Sequence, residues 1–161
     1  MALFDELREP LLRYLSSFAL PACDSEEIVQ DAFLALFQHL QRDKPRHSLK
    51  GWLFRVAHNL ALRKRRDDGR DRQTMASSLA LMEDLAIDPG LNPEDQVADA
   101  QSREALSAVL NALPAIDRRC LYLRAEGLRH REIAQILDLS ISTVSVSLGR
   151  SLARINRASG R

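Results

Sequence analysis

The sequence has little cysteine and few aromatic residues. Its 161 residues include 2 cysteines, 1 tryptophan and 4 histidines, and aromatic residues make up only 5%. Cys23 and Cys120 lie far apart, which excludes a disulfide framework, and with the scattered histidines they form no metal-ligand spacing. We therefore expect no metal site, no cofactor, and a reducing compartment, the cytoplasm.

Long apolar runs and catalytic motifs are also absent. No stretch of about 18 consecutive apolar residues could cross a membrane, and "MALFDELREP" lacks the basic segment and apolar core of a secretion signal. The sequence contains no Gly-rich phosphate loop, no evident pair of catalytic carboxylates and no nucleophile with a recognisable base. These absences predict a protein that is not an enzyme.

Charge is distributed unevenly along the chain. The net charge is only +1, yet residues 1–72 carry 13 Lys/Arg against 11 Asp/Glu. Residues 73–104 carry one basic residue against seven acidic ones, and residues 105–161 carry nine against four. The chain therefore consists of a mildly basic segment, an acidic segment and a basic segment in that order. The net charge of the whole chain does not show this division.

Helical periodicity dominates, so the sequence predicts an all-α fold with two small helical domains. Residues 1–70 form the first domain in this interpretation. A first helix covers about 3–19 and ends before Pro21, Asp24 caps a second helix, and a third runs from about Leu49. The residues expected to face inward in the second and third helices are Ile28, Ala32, Phe33, Leu36, Phe37, Leu40, Leu53, Val56, Ala57 and Leu60.

The remaining sequence predicts a linker followed by a second domain. Residues 71–96 are acidic and contain Pro89, Gly90 and Pro93, which favour a flexible tether. Residues 97–161 form a four-helix domain, with Pro114 in the first turn of one helix and Gly127 as its C-terminal glycine.

The stretch "HREIAQILDLSISTVSVSLGR" has the spacing of a helix-turn-helix. Ser140 is expected to cap the second helix. The inward residues of that helix are predicted to be Ile141, Val144, Leu148, Leu152 and Ile155. Small polar residues on the other side suit a DNA groove, where hydroxyls can bond base edges or phosphates. The outward residues are predicted to be Ser142, Thr143, Ser145, Val146, Ser147, Gly149 and Arg150.

Two further helical faces carry polar patterns. "GWLFRVAHNLALRKRRD" presents a basic face with an aromatic ring, which suits single-stranded nucleic acid but is also compatible with a solvated helix end. Its outward residues are Arg55, Asn59, Arg63, Lys64 and Arg66. Trp52 lies near the start of the helix, where its ring could either stack on a base or pack into the core. In "DSEEIVQDAFLALFQHL", an exposed side at spacing i, i+3, i+4, i+7 is shared by Glu27, Gln30, Asp31 and Leu34.

These three motifs, in this order, resemble the bacterial RNA polymerase sigma factors of the extracytoplasmic-function (ECF) group in the sigma-70 superfamily. The resemblance covers nearly the whole chain. It implies a transcription initiation factor that binds core RNA polymerase through the β′ clamp helices and the β flap and directs it to promoter DNA. It also allows an anti-sigma factor as a further partner, and it implies no membrane association.

The resemblance assigns roles to the predicted faces. Glu27, Gln30, Asp31 and Leu34 would bind polymerase. Residues 1–70 would correspond to sigma region 2 and capture the −10 element, and residues 97–161 would correspond to sigma region 4 and read the −35 element. For the −10 element it implies contacts from Arg46, His47, Trp52, Arg55, Asn59, Arg63, Lys64 and Arg66. For the −35 element it implies contacts from His130, Arg131, Ser142, Thr143, Ser145, Val146, Ser147, Gly149 and Arg150. Ser145 and Ser147 depart from the family, which commonly has Lys or Arg there.

Three other hypotheses compete with a sigma factor. A stand-alone helix-turn-helix transcriptional regulator would bind DNA as a free protein, without polymerase. A sigma-like protein could bind polymerase while reading DNA weakly through its serine-rich helix. An enzyme acting on DNA would need an activating base or metal set, which the sequence does not show.

Overall fold

The computed structural model describes residues 2–42, 48–68 and 93–159, and only the backbone of 93–99. Within these ranges the fold is all-α, as predicted, and contains no strand. The helices are α1 (Ala2–Leu15), a 3-10 turn η1 (Ser16–Phe18), α2 (Ala22–Gln41), α3 (Leu49–Asp68), α4 (Pro93–Ala112), α5 (Ala115–Ala125), α6 (His130–Leu137) and α7 (Ile141–Ala158). The predictions for Arg46, His47 and residues 71–92 lie outside the described residues.

Helices α1, α2 and α3 pack together, and we call them the N-terminal bundle. Leu11, Leu15 and Phe18 supply its core, close to complete burial. The predicted cap of α2 was wrong. Pro21, not Asp24, is its N-cap residue, because the Pro21 carbonyl accepts the amide protons of both Asp24 and Ser25. Asp24 therefore lies in the first turn, where its charge favours the positive end of the helix dipole.

The inward stripes of α2 and α3 are rotated relative to the sequence prediction. Phe37 was expected inside, but its side chain is 59% exposed on the same side of α2 as Leu34. In α3, Val56 and Leu60 are only partly buried, while Phe54 and His58 are buried. The rotation follows from packing α3 on both α1 and α2, which brings Phe54 and His58 beside Tyr14.

Helices α4 to α7 form the C-terminal bundle. Pro93 is the first residue of α4, a position that suits proline because the first helical amide needs no partner. Gly127 ends α5 with φ of 87°, and the Leu128 amide donates to the Leu123 carbonyl, which confirms the glycine cap. The helix-turn-helix is also confirmed: α6 and α7 flank a turn in which Asp138 is left-handed and the Ser140 hydroxyl accepts the Thr143 amide proton.

The two bundles share a core. Cys120 and Leu123 of α5 and Ile133 of α6 belong to the same buried cluster as Leu11 and Phe54. Helix α5 packs on α1 and η1, and α6 packs on α3. The sequence indicated a separate small core for each domain, whereas the structure joins them into one.

Candidate nucleic-acid and polymerase interfaces

The predicted polymerase face of α2 is exposed along its whole length. Glu27, Gln30, Asp31 and Leu34 are all exposed, and Leu34 is 57% accessible. Phe37 extends this face by one turn, so that acidic, amide and large apolar side chains follow one another on one side of the helix. We call Glu27, Gln30, Asp31, Leu34 and Phe37 the α2 stripe. Two exposed large apolar residues on an otherwise polar face are typical of a protein interface.

The basic face of α3 is also exposed. Arg55, Asn59, Arg63 and Arg66 recur at spacings of four, four and three residues, which places them on one side of the helix. Within the described ranges, none of these four side chains has a hydrogen bond or ion pair. We call them the α3 basic face. Unpaired guanidinium groups in a row can follow a phosphate backbone without first breaking contacts within the protein.

Trp52 and Lys64 were predicted to contact the −10 element together with this face, and the structure gives each of them a partner. The Trp52 ring is half-buried and stacks on His39 with centroids 4.4 Å apart. The Lys64 ammonium lies 3.7 Å from carboxylate oxygens of both Asp24 and Glu27. These two carboxylates, Asp24 first, raise the pKa of Lys64. Lys64 thus links the edge of the α2 stripe to the α3 basic face.

The outward surface of the helix-turn-helix is lined by small side chains. Ser142, Thr143, Ser145 and Gly149 are exposed, and Val146 is 63% accessible. The first helix of the motif adds the exposed Arg131 and the half-buried His130, whose Nδ1 lies 3.1 Å from the Ser145 hydroxyl. The part of this surface on α7 could enter a groove closely, and between Ser142 and Gly149 its polar side-chain atoms are hydroxyl oxygens.

The outward placement of Ser147 was wrong. Its side chain is 1% exposed, and its hydroxyl donates to the carboxylate of Asp117 over 2.7 Å. Conversely, Ile141 and Leu152 were expected inside and are about half exposed. The buried side of α7 runs through Val144, Ser147, Leu148 and Ser151, because serine at two of these positions lets α7 approach α5 closely.

Arg150 is exposed on one side only. Its guanidinium donates from Nε and Nη2 to the two carboxylate oxygens of Asp117, at 3.1 and 2.8 Å, and the side chain remains 51% accessible. The Asp117 carboxylate itself is buried, and the hydrogen bond from Arg150 is the main cause of its lowered pKa. Asp117 was not predicted from the sequence, because an acidic residue in the first turn of a helix is common as a helix-dipole partner.

A buried polar cluster where the bundles meet was also missed. The Tyr14 hydroxyl and His58 Nδ1 lie 2.7 Å apart, and Arg119 of α5 enters beside them, with its guanidinium carbon 3.8 Å from the centre of the Phe18 ring. Arg119 is 6% exposed and donates to the hydroxyl and the carbonyl oxygen of Ser17. Burial, followed by the Arg119 charge, lowers the pKa of His58 to about 4.

Within the described ranges, no group of three or more His, Cys, Asp or Glu side chains could hold a metal ion. No helix in those ranges is both long and apolar enough to cross a membrane.

Comparison with known proteins matches both bundles to one family. The Sigma-70 region 2 model matches residues 3–71 and the Sigma-70 region 4 model matches residues 103–155. The RNA polymerase sigma factor CnrH of Cupriavidus metallidurans is 31% identical over 150 residues, which cover 87% of this chain and 75% of CnrH. The ECF RNA polymerase sigma-E factor of Escherichia coli K12 is 27% identical over 149 residues, covering 88% and 77%.

A third relative is much longer than this chain. The probable RNA polymerase sigma factor RfaY of Xanthomonas campestris pv. campestris is 33% identical over 135 residues, and the match covers 81% of this chain but 33% of RfaY.

Two solved structures share the fold. A structure of CnrH in complex with the cytosolic domain of CnrY is 25% identical, has a TM-score of 0.59, and is matched over 97% of this chain and 84% of that one. The sigma factor RpoE of Bartonella quintana, in a complex with the anti-sigma factor NepR, has a TM-score of 0.62 at 23% identity, covering 96% and 94%.

Proposed function

Because this chain belongs to the sigma-70 family and its relatives are ECF RNA polymerase sigma factors, we propose that it divides promoter recognition between its two bundles. In this proposal residues 1–70 bind core polymerase and capture the −10 element, residues 71–96 connect the domains, and residues 97–161 read the −35 element. The chain contributes binding energy and no covalent chemistry.

The α2 stripe is the proposed polymerase-binding surface. Its carboxylates would steer the approach to a basic partner surface, and Leu34 and Phe37 would supply apolar area to be buried. The proposed partner is the pair of clamp helices in the β′ subunit, as the family resemblance implies.

The α3 basic face carries the proposal for the −10 element. Arg55, Arg63 and Arg66 are charged, exposed and unpaired among the described residues, and Asn59 between them offers a donor and an acceptor to a base edge. A single strand held here would gain phosphate contacts that offset the cost of unpairing its bases. Because one face of the Trp52 ring is stacked on His39, a base could stack only on the other face of the ring, or after the ring had left His39.

For the −35 element, the proposed contact surface is His130, Arg131, Ser142, Thr143, Ser145, Val146, Gly149 and the exposed side of Arg150. Ser147 is withdrawn from this set because its hydroxyl is buried against Asp117. With so little charge, the helix would discriminate by close fit and hydroxyl contacts, while the −10 domain and polymerase supply most of the affinity.

A reconstituted transcription assay tests this function. Core polymerase, the purified chain and fragments of the source genome are expected to give transcripts that start at a limited set of sites and depend on the chain. An Arg55→Ala/Arg63→Ala/Arg66→Ala variant is expected to lose them, whereas Arg8→Ala, on a different helix, keeps them. Absence of any chain-dependent transcript, with specific DNA binding by the free chain, would instead identify a stand-alone regulator.

The similarity to CnrH also bears on partners. CnrH has been solved in complex with the cytosolic domain of CnrY. We propose that this chain also binds a protein partner and that this partner would compete with polymerase. Co-purification with the chain would identify it.

A further inference from the structure

The outer surface of α7 has one charged side chain between Ile141 and Arg150. The sequence there is "ISTVSVSLGR", and Arg150 is its only charged residue. Arg150 lies one turn beyond the exposed Val146 and next to Gly149, which has no side chain. The edge of a base pair could therefore approach the Arg150 guanidinium closely, and the orientation of this group decides what it can bind.

Asp117 holds Arg150 by one edge of the guanidinium. Arg150 Nε donates to Asp117 Oδ2 over 3.1 Å, and Nη2 donates to Oδ1 over 2.8 Å. Two parallel hydrogen bonds of this type fix the plane of a guanidinium as well as its position. Since a guanidinium has five N–H groups, both protons of Nη1 and one of Nη2 remain. Among the described residues Nη1 has no hydrogen-bond partner. The remaining protons include a second parallel pair, one on each Nη nitrogen, which we call the end pair.

The Asp117 carboxylate is itself fixed. It lies in the first turn of α5, and its side chain is 1% exposed. Its Oδ1 atom also accepts the hydroxyl proton of Ser147, which is one turn before Arg150 on α7. The hydrogen bond from Arg150 lowers the pKa of Asp117, so the carboxylate stays charged at neutral pH. A buried anion thus holds Arg150 while about half of the arginine side chain remains accessible.

The pairing with Asp117 favours a base over a phosphate as the partner of Arg150. A phosphate is attracted by positive charge, and the carboxylate of Asp117 cancels the charge of the guanidinium. Guanine is neutral and presents two acceptors in the major groove, O6 and N7, to which an arginine binds through two parallel donors. The end pair has this arrangement before DNA arrives, so less side-chain entropy is lost on binding.

We propose that Asp117 is a positioning residue, which orients Arg150 so that the end pair reads a guanine in the −35 element. This inference rests on the proposed function of α7 as the −35 reader. Asp117 does not touch the DNA itself, because it is buried, and acts through Arg150. Replacing Asp117 leaves the charge of Arg150 in place but removes its fixed orientation, so the base preference should respond at one position only.

Selection from randomised promoters tests the proposal. A promoter obtained in the reconstituted transcription assay would be prepared with its −35 element randomised, and the duplexes bound by core polymerase with the full chain would be sequenced. With the wild type we expect guanine to be preferred about tenfold or more at one position. Asp117→Asn offers an amide to the guanidinium and should weaken that preference about two- to tenfold. Asp138→Asn, the same change at an exposed residue, should keep it.

Arg150→Lys isolates the contribution of the end pair. Lysine keeps the positive charge beside Asp117 but has no planar pair of donors, so the guanine preference at that one position should be lost. In the Arg150→Lys background, Asp117→Asn should change the base preferences no further, because Asp117 acts only through Arg150. A purely structural role of Asp117 would instead weaken the preferences at all positions of the element, whichever residue stands at position 150.

Three results would overturn the proposal. Wild-type guanine preference in an Asp117→Asn chain of full helicity would show that Asp117 does not position Arg150. Unchanged preferences with Arg150→Lys would show that Arg150 reads no base, and a salt slope that falls by about 0.9 with Arg150→Ala would then assign it to a phosphate. If the wild-type chain with polymerase selects no −35 sequence at all, the −35 function of α7 fails, and the proposal fails with it. Should Asp117→Asn lose helicity by circular dichroism, Asp117→Ser takes its place with the same expectations.

Discussion

The α3 basic face and the outer face of α7 are both proposed to meet DNA, but they are built differently. On α3 the guanidinium groups are exposed and have no partner among the described residues. On α7, Arg150 is bound by the buried Asp117 carboxylate. The other outward side chains of this helix from Ser142 to Gly149 are small and uncharged. One face is therefore suited to affinity and the other to close fit. The buried groups behind the two faces differ as well: neutral His58 is on the buried side of α3 itself, whereas the Asp117 carboxylate of α5 lies beneath α7.

The largest expected effect comes from separating Arg150 from Asp117. Arg150→Ala leaves a buried carboxylate with Ser147 as its remaining side-chain donor, so we expect a marked loss in the free energy of unfolding. Urea denaturation of the full chain at pH 7 measures it, and Arg157→Ala, an exposed change two turns away on the same helix, is the control. Equal stability of the two variants would mean that Arg150 acts on DNA alone and that the contrast between the faces is overstated.

The buried His58 predicts acid sensitivity of the core beneath α3. Its pKa is about 4 in the folded chain, below the unfolded value of 6.5, so the unfolded state binds the extra proton first. The stabilisation is complete above pH 6.5 and is lost as pH falls toward 4, by up to about 3 kcal/mol. Tyr14 and Arg119 face this ring from α1 and α5. Urea denaturation at several pH values should show the loss, and His58→Gln should flatten that part of the curve; an identical curve for the variant would show that His58 is not the group that titrates.

The third expected effect concerns salt dependence. Arg55→Ala/Arg63→Ala/Arg66→Ala should reduce the slope of log affinity against log salt by about 2 for promoter DNA bound with polymerase, about 0.7 for each phosphate contact of a single strand. Fluorescence anisotropy at several salt concentrations gives the slope. An unchanged slope would show that the α3 basic face is only a solvated helix end.

Adding a positive charge to α7 is expected to change the salt dependence by a smaller amount. Ser145→Lys adds one cation to the low-charge face and should increase the same slope by about 1, with tighter binding at low salt. Leu152→Lys adds the same charge on another exposed part of α7 and serves as the control. Equal slopes for the two variants would argue against placing Ser145 at the DNA.

The smallest expected effect comes from Gly149. Apart from the adjoining residues and backbone of its own helix, a methyl group at this position meets no atom within 4 Å, so Gly149→Ala should stabilise the chain by about 1 kcal/mol through helix propensity. Thermal unfolding measures this gain. A stabilised variant that also binds −35 DNA less tightly would show that the groove approaches the backbone at Gly149, whereas unchanged stability would contradict the expected gain in helix propensity.

Local signals predicted most of the fold. The Ser140 cap, the Gly127 turn and the helix-turn-helix spacing depend on residues that are neighbours in sequence, and each is confirmed. The predicted outward face of α7 was wrong at Ser147, whose hydroxyl is buried against Asp117 of α5. Asp117 lies 30 residues earlier in the chain, and a serine in an amphipathic helix does not by itself indicate such a partner. Arg119 was missed for a similar reason, since a guanidinium is expected in water unless a distant aromatic ring and carbonyl receive it.

In the α2 stripe the error is the opposite one: a residue predicted to be buried is exposed. Its four predicted members are exposed, but Phe37 was assigned to the core by periodicity alone. The packing of α2 between α1 and α3 buries a narrower stripe of α2 than its periodicity indicates. Phe37 lies outside that stripe, so its ring belongs to the proposed polymerase surface.

Strand opening at the −10 element tests the central claim most directly. Permanganate, which oxidises unpaired thymines, would be applied to a promoter fragment with core polymerase and the chain. We predict reactive thymines in the −10 element with the wild type and their loss with Arg55→Ala/Arg63→Ala/Arg66→Ala, while Arg8→Ala behaves as wild type. Full reactivity with the triple variant would contradict the claim, because the −10 strand would then be held somewhere other than on α3.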